Sequence, residues 1–104
     1  MIKVKLFRKN NDLEKIVIKG HAMYDDFGKD IVCAAASATV ITSVNACLSI
    51  DYNSLDYNDK DGLEIVINKK DIITNKIIEN MITNLRELEM AYPKNIQIKE
   101  ENNE

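Results

Sequence analysis

Residues 20–38 read GHAMYDDFGKDIVCAAASA, and this stretch divides the chain into a pair of strands before it and a long helix after it. Gly20 ends an alternating apolar run. His21 to Lys29 shows no period, and Gly28 supplies a flexible joint, so these residues form a loop. Asp30 stands where a helix N-cap belongs, its carboxylate able to accept N–H bonds from the next turn. The predicted helix extends to Ile50. Val40, Ile41, Val44, Cys47 and Leu48 make its lower apolar stripe, and the small residues Ala34, Ala35, Ala36, Ser37 and Ala38 keep its start narrow.

Upstream, Ile2, Val4 and Leu6 alternate with Lys3, Lys5 and Phe7, a half-buried strand. Lys9–Asp12 (KNND) is turn chemistry. Glu14–Lys19 (EKIVIK) is a second strand, and the two form a hairpin. Downstream, Asp51–Gly62 (DYNSLDYNDKDG) is polar and turn-rich, and Leu63, Ile65 and Ile67 alternate as a third strand. Ile73, Ile77, Met81, Leu85 and Leu88 recur at helical spacing, joined by Ile78 and Ile82, which predicts a second helix over Ile73–Tyr92 stopped by Pro93. Asn95–Lys99 (NIQIK) is a fourth strand, and the acidic tail EENNE reads as frayed. The order β-β-α-β-α-β predicts an α/β (α+β) fold of two layers: a four-stranded mixed sheet with both helices on one face. A chain of 104 residues holds one such core, so residues 1–104 read as a single domain.

Composition narrows the classes. The chain is 45% hydrophobic and 30% charged, which is globular. Its 14 basic and 17 acidic residues give a net charge of −3, and the basic residues are scattered, against a nucleic-acid footprint. No apolar run approaches the about 20 residues of a membrane span, and the N-terminus alternates instead of forming a signal peptide. The expected location is the cytoplasm, with the two cysteines as thiols.

His21 is the sole histidine. A metal site is not expected, because zinc wants three or four ligands and no Cys-x-x-Cys or His-x-x-x-His pair is present. No cofactor is implied. Cys33 and Cys47 lie on one predicted helix about 21 Å apart along its axis, too far to share a metal or a disulfide. Cys47 reads as a small buried residue. Cys33 falls at the third helical position, where free N–H groups and the helix dipole favour a thiolate. The loop can bring His21 back over the helix start. Cys with His is the smallest set that makes a nucleophile and a proton shuttle, and the helix-start amides could hold an oxyanion. The structural alternative has Cys33 filling space and His21 closing a strand. Asp30 has two readings, a plain N-cap or a partner that orients His21. Ser37, one turn beyond Cys33, either bonds substrate or loop, or bonds the carbonyl four residues back. Gly20 and Gly28 are turn glycines or lid hinges. Tyr24 and Phe27 contact substrate or form a satellite cluster under the loop.

These residues resemble a known family. Gly20-His21-Ala22, then Gly28, Asp30-Ile31-Val32-Cys33-Ala34 and Ser37-Ala38, with Ser43-Val44-Asn45-Ala46 further along, are similar to the ribosomal-processing cysteine protease family, Prp. The element order agrees over essentially the whole chain, and the motif itself spans Gly20–Ala46. The resemblance implies a cysteine endopeptidase that removes the N-terminal extension of a bacterial large-subunit ribosomal protein, L twenty-seven. It implies Cys33 as nucleophile and His21 as base, with Asp30 and Ser37 supporting. Gly20, Ala22, Tyr24, Phe27 and Gly28 would belong to a loop that orders on substrate. It also implies a homodimer and an apolar groove for an extension ending in aromatic residues. The alternatives are a non-catalytic binding module on ribosome-assembly factors, with Cys33 structural, and a thiol redox sensor, for which Cys47 is badly placed.

Overall fold

Ile2–Lys9 (β1) and Asp12–Lys19 (β2) alternate apolar and polar residues, and they pair antiparallel. Asn10 and Asn11 join them with φ of 53° and 70°, the doubly left-handed geometry of a type I′ hairpin turn, which asparagine tolerates. In the computed structural model, which describes residues 1–102, five further elements follow: α1 (Ile31–Ile50), β3 (Leu55–Asn58), β4 (Leu63–Ile67), α2 (Ile72–Ala91) and β5 (Ile96–Asn102). The fold is α+β, with the strands in one mixed sheet in the order β3-β4-β2-β1-β5. Among the described strand pairs only β1–β5 is parallel.

The sheet has five strands, not four. β3 lies inside the segment read as turn. Asp56 and Asn58 are weak strand formers, and the strand exists because Leu55, 1% exposed, drops into the core while β4 supplies the ladder. The acidic tail is also corrected. Glu100, Glu101 and Asn102 extend β5, parallel to Leu6–Arg8. Glu100 holds its place because Arg8 and Arg86 reach its carboxylate at 3.1 and 3.3 Å. The rest of the tail lies outside the described residues.

Cross-strand partners share a face. Ile2, Val4, Leu6, Ile16, Ile65 and Ile96 thus form one apolar surface, and the helices cover it. The other face carries Lys3, Lys5, Lys15 and Lys19 toward solvent. On α2 the buried residues are Thr74, Ile78, Met81, Ile82 and Leu85, while Ile73 is half exposed. On α1 they are Val32, Ala36, Val40, Val44 and Cys47. Ile41, read as core, is 57% exposed, because α1 sits on the sheet along only part of its girth. Over its 20 residues α1 carries no charge, and it is long and apolar enough to cross a membrane by length and composition. The absence of such a run, expected above, is corrected. In this fold the helix lays its apolar stripe on the sheet and on α2.

Gly20, at φ +90°, turns the chain out of β2, where a Cβ would collide with the Met1 carbonyl. Ile16→Ala, at the fully buried centre of the sheet, is expected to lower unfolding stability by about 2–5 kcal/mol in urea titration. A value under 1 kcal/mol would mean the site collapses without a cavity.

Candidate active site

The helix start is organised by Asp30. Its Oδ1 accepts from the Val32 and Cys33 amides at 3.0 Å each, the N-cap arrangement expected from the sequence. Its Oδ2 accepts from the Tyr24 amide at 2.9 Å and the Asp25 amide at 3.3 Å. One carboxylate therefore clasps the loop to the helix. Partial desolvation raises the Asp30 carboxyl, but the amides of Cys33, Tyr24, Asp25 and Val32 together outweigh it and hold the group below its ordinary value. Of its two readings the structure shows the cap. Among the described residues the His21 ring makes no hydrogen bond with Asp30 or Cys33.

The amides that were to hold an oxyanion are occupied. Val32 and Cys33 give theirs to the Asp30 side chain, and Ala34 gives its own to the Asp30 carbonyl at 3.1 Å. A different amide faces the sulfur: Ala22 N lies 3.2 Å from Cys33 Sγ. Ala22, assigned to the substrate loop, is fully buried, so its side chain is packed beneath the site. Cys33 is half-buried and Cys47 is buried. Burial pushes the Cys47 thiol up, and Asp71 adds to the rise.

Cys33 opens into a groove of about 970 Å³. Ile2, Val4, Ile18 and Leu63 floor it, and Cys33, Ser37, Ile41 and Asn45, each one turn beyond the last, form the α1 wall. Tyr57 and Asp59 stand at the β3 side. His21, exposed, lines the same groove with Met23, Asp25, Phe27 and Gly28 of the loop. The structure thus brings His21, Cys33, Ser37, Asp30, Gly20, Phe27 and Gly28 to one cleft. Ser37 faces it, and among the described residues its hydroxyl bonds no carbonyl, unlike Thr39, Ser43 and Ser49. Tyr24 is the exception. Its ring packs edge-on against Tyr92 at 5.3 Å, a satellite contact with the end of α2. Phe27 at 101% and Met23 at 77% exposure touch little of the fold. A second hollow, of about 230 Å³ near Asp12 and Asp71, contains neither thiol nor imidazole. Among the described residues no cluster of three His, Cys, Asp or Glu side chains could hold a metal.

Sequence reasoning missed Asn45, Tyr57, Asp59 and Asn95. Asn45 was within reach, since it continues the one-turn steps from Cys33. Tyr57 and Asp59 depended on the unrecognised β3. Asn95, whose Nδ2 donates to the Ala22 carbonyl at 2.9 Å, is 73 positions away and has no local signal.

A thiol at the head of a peptide-sized groove, on this two-layer fold, defines a cysteine protease, and comparison with known proteins gives the same class. The model of the family described as Cysteine protease Prp matches residues 1–97, and the chain belongs to that family. The ribosomal processing cysteine protease Prp of Staphylococcus aureus is 33% identical over 87 residues, 80% of this chain and 82% of that protein. The crystal structure of the S. aureus protease with a covalently linked product peptide superposes with a TM-score of 0.90 at 29% identity, covering 97% of this chain and all of that one. The same protease with a substrate peptide gives 0.82 at 28% identity and the same coverage. A Streptococcus mutans protein gives 0.81 at 28% identity, over 99% of this chain and 96% of that one. The non-catalytic reading gives way to a protease.

A depressed carboxyl contributes its stabilisation at pH values above its unfolded pKa and loses it as pH falls through the folded value. The amide resonances of Tyr24, Asp25, Val32 and Cys33 are therefore expected to titrate together, with a midpoint below the ordinary 3.8 of an aspartate. Four separate midpoints would dissolve the clasp.

Proposed function

We propose that the protein is an endopeptidase that removes the N-terminal extension of the large-subunit ribosomal protein L twenty-seven, with Cys33 as nucleophile and His21 as base. The observation that carries this is the shared groove: Cys33 and His21 line one cleft whose floor is aliphatic. From Cys33 to Asn45 the α1 wall runs about 18 Å at 1.5 Å per residue. That is the length of five or six residues of extended peptide. Ile2, Val4, Ile18 and Leu63 suit an apolar extension, and the exposed Phe27 and Met23 can close over it. Support for a ribosomal substrate comes from the S. aureus relative, a ribosomal processing protease crystallised with substrate and product peptides.

His21 takes the thiol proton as Cys33 Sγ bonds the scissile carbonyl carbon, and returns it to the departing amine. A water, deprotonated by His21, then splits the thioester and restores the thiol. Asp30 supports this from a distance by fixing loop and helix start, and Ser37 offers a hydroxyl one turn along the groove. The setting is the cytoplasm, where thiols such as Cys33 and Cys47 stay reduced, and the working unit is the domain of residues 1–104.

Mass spectrometry of an L twenty-seven precursor is expected to show loss of the extension with the wild-type protein and none with Cys33→Ala. Cleavage by Cys33→Ala would overturn the assignment. We also propose a homodimer, which would cover the uncharged outer face of α1, where Ile31, Ala34, Ala35 and Ala38 are exposed. Sedimentation is expected to show a dimer for wild type and a monomer for Ala35→Glu, while an unchanged dimer would place the interface elsewhere.

A further inference from the structure

Asn95 sits where α2 turns into β5, and its backbone is held on both sides. Its N–H donates to the Tyr92 carbonyl at 2.9 Å, and its carbonyl accepts from the Ile2 amide at 2.8 Å. The side chain is therefore presented from a rigid support, with Nδ2 2.9 Å from the Ala22 carbonyl. Ala22 has no exposed surface, and its own N–H reaches Cys33 Sγ at 3.2 Å. Its neighbours are His21 on one side and Met23, at φ +57°, on the other. A left-handed methionine is a sparsely populated conformation, so the chain does not rest there by local preference. Asn95 holds it from one end and the Asp30 clasp from the other.

We infer that Asn95 is a positioning residue for the thiol, acting by aiming the Ala22 N–H at the reacting centre. The elimination is specific. The Val32, Cys33 and Ala34 amides all belong to Asp30, and the Ala22 N–H is the backbone amide bonded to the sulfur. An N–H bonded to a thiolate stabilises it as other charge-assisted bonds do. When Sγ bonds the carbonyl carbon, charge passes from sulfur to the carbonyl oxygen. The buried Ala22 N–H thus serves the charge on sulfur, and Asn95, which does not touch the sulfur, keeps it in line. This rests on Cys33 being the nucleophile.

The test is Asn95→Ala and Asn95→Asp, read by iodoacetamide alkylation of Cys33 against pH and by cleavage of the extended precursor. Removing the donor frees the Ala22–Met23 peptide, and with it the Ala22 Cα from which the His21–Ala22 peptide and its N–H are held. Alkylation at neutral pH is expected to fall about tenfold, with its pH profile displaced to the alkaline side. Turnover is expected to fall at least as far, with KM within about twofold, since the groove walls are untouched. A folded Asn95 variant with wild-type alkylation and turnover overturns the inference. Should neither variant fold, the wild type decides. The Ala22 amide proton is expected to move downfield along the pH profile of Cys33 alkylation, and a resonance indifferent to that pH range overturns the inference equally. Retained cleavage by Cys33→Ala would instead overturn the nucleophile assignment, so the two failures are separable.

Discussion

The site depends on what one carboxylate does at the start of a helix. A loop of eleven residues lies between β2 and α1, with no strand or helix of its own to hold it. Asp30 solves two problems with its two oxygens: one satisfies the orphan amides of α1, the other collects the amides of Tyr24 and Asp25. The helix start is thereby capped from within, and the Val32, Cys33 and Ala34 amides are taken up by Asp30. The main-chain amide that does bond the sulfur comes from the loop, at Ala22. A helix N-terminus is usually read as a ready-made anion site. Here the cap has already claimed it.

The second constraint is the dual use of α1. Its inner stripe of Val32, Ala36, Val40, Val44 and Cys47 must pack, so it is small and aliphatic. The stripe beside it, from Cys33 to Asn45, must stay clear of the sheet to leave a groove. Apolar side chains such as Ile41 are therefore left exposed along the groove. An ordinary surface helix would place charges there. The lack of any charge on α1 goes with one face that packs on the core and another that lines the groove.

Much of this could be read in the residues. The hairpin, both helices, the Asp30 cap, the apolar alternation of four strands and the place of His21 beside the helix start all follow from local pattern. β3 did not, because Leu-Asp-Tyr-Asn holds one buried side chain and takes its strand form from β4 rather than from propensity. β5 extended past its reading because Arg8 and Arg86 neutralise Glu100, a pairing set by the tertiary fold. The oxyanion expectation failed for a related reason. Free helix-start amides were assumed, and whether a cap consumes them depends on side-chain geometry. Asn95 carries no signal in its own neighbourhood. Its role comes from the parallel pairing that brings the last strand beside the first.

That parallel pairing reaches into synthesis as well. β1 is the first strand made and β5 the last, yet β1 must lie between β2 and β5. A nascent chain emerging from the ribosome can close its hairpin and form α1 while β1 still has a bare edge. Until Asn95 and β5 are released the Ile2 amide lacks its partner and the Ala22 carbonyl lacks its donor, so the loop is held by the Asp30 clasp alone. The strand that comes latest in chain order among those described thus completes the support beneath the thiol.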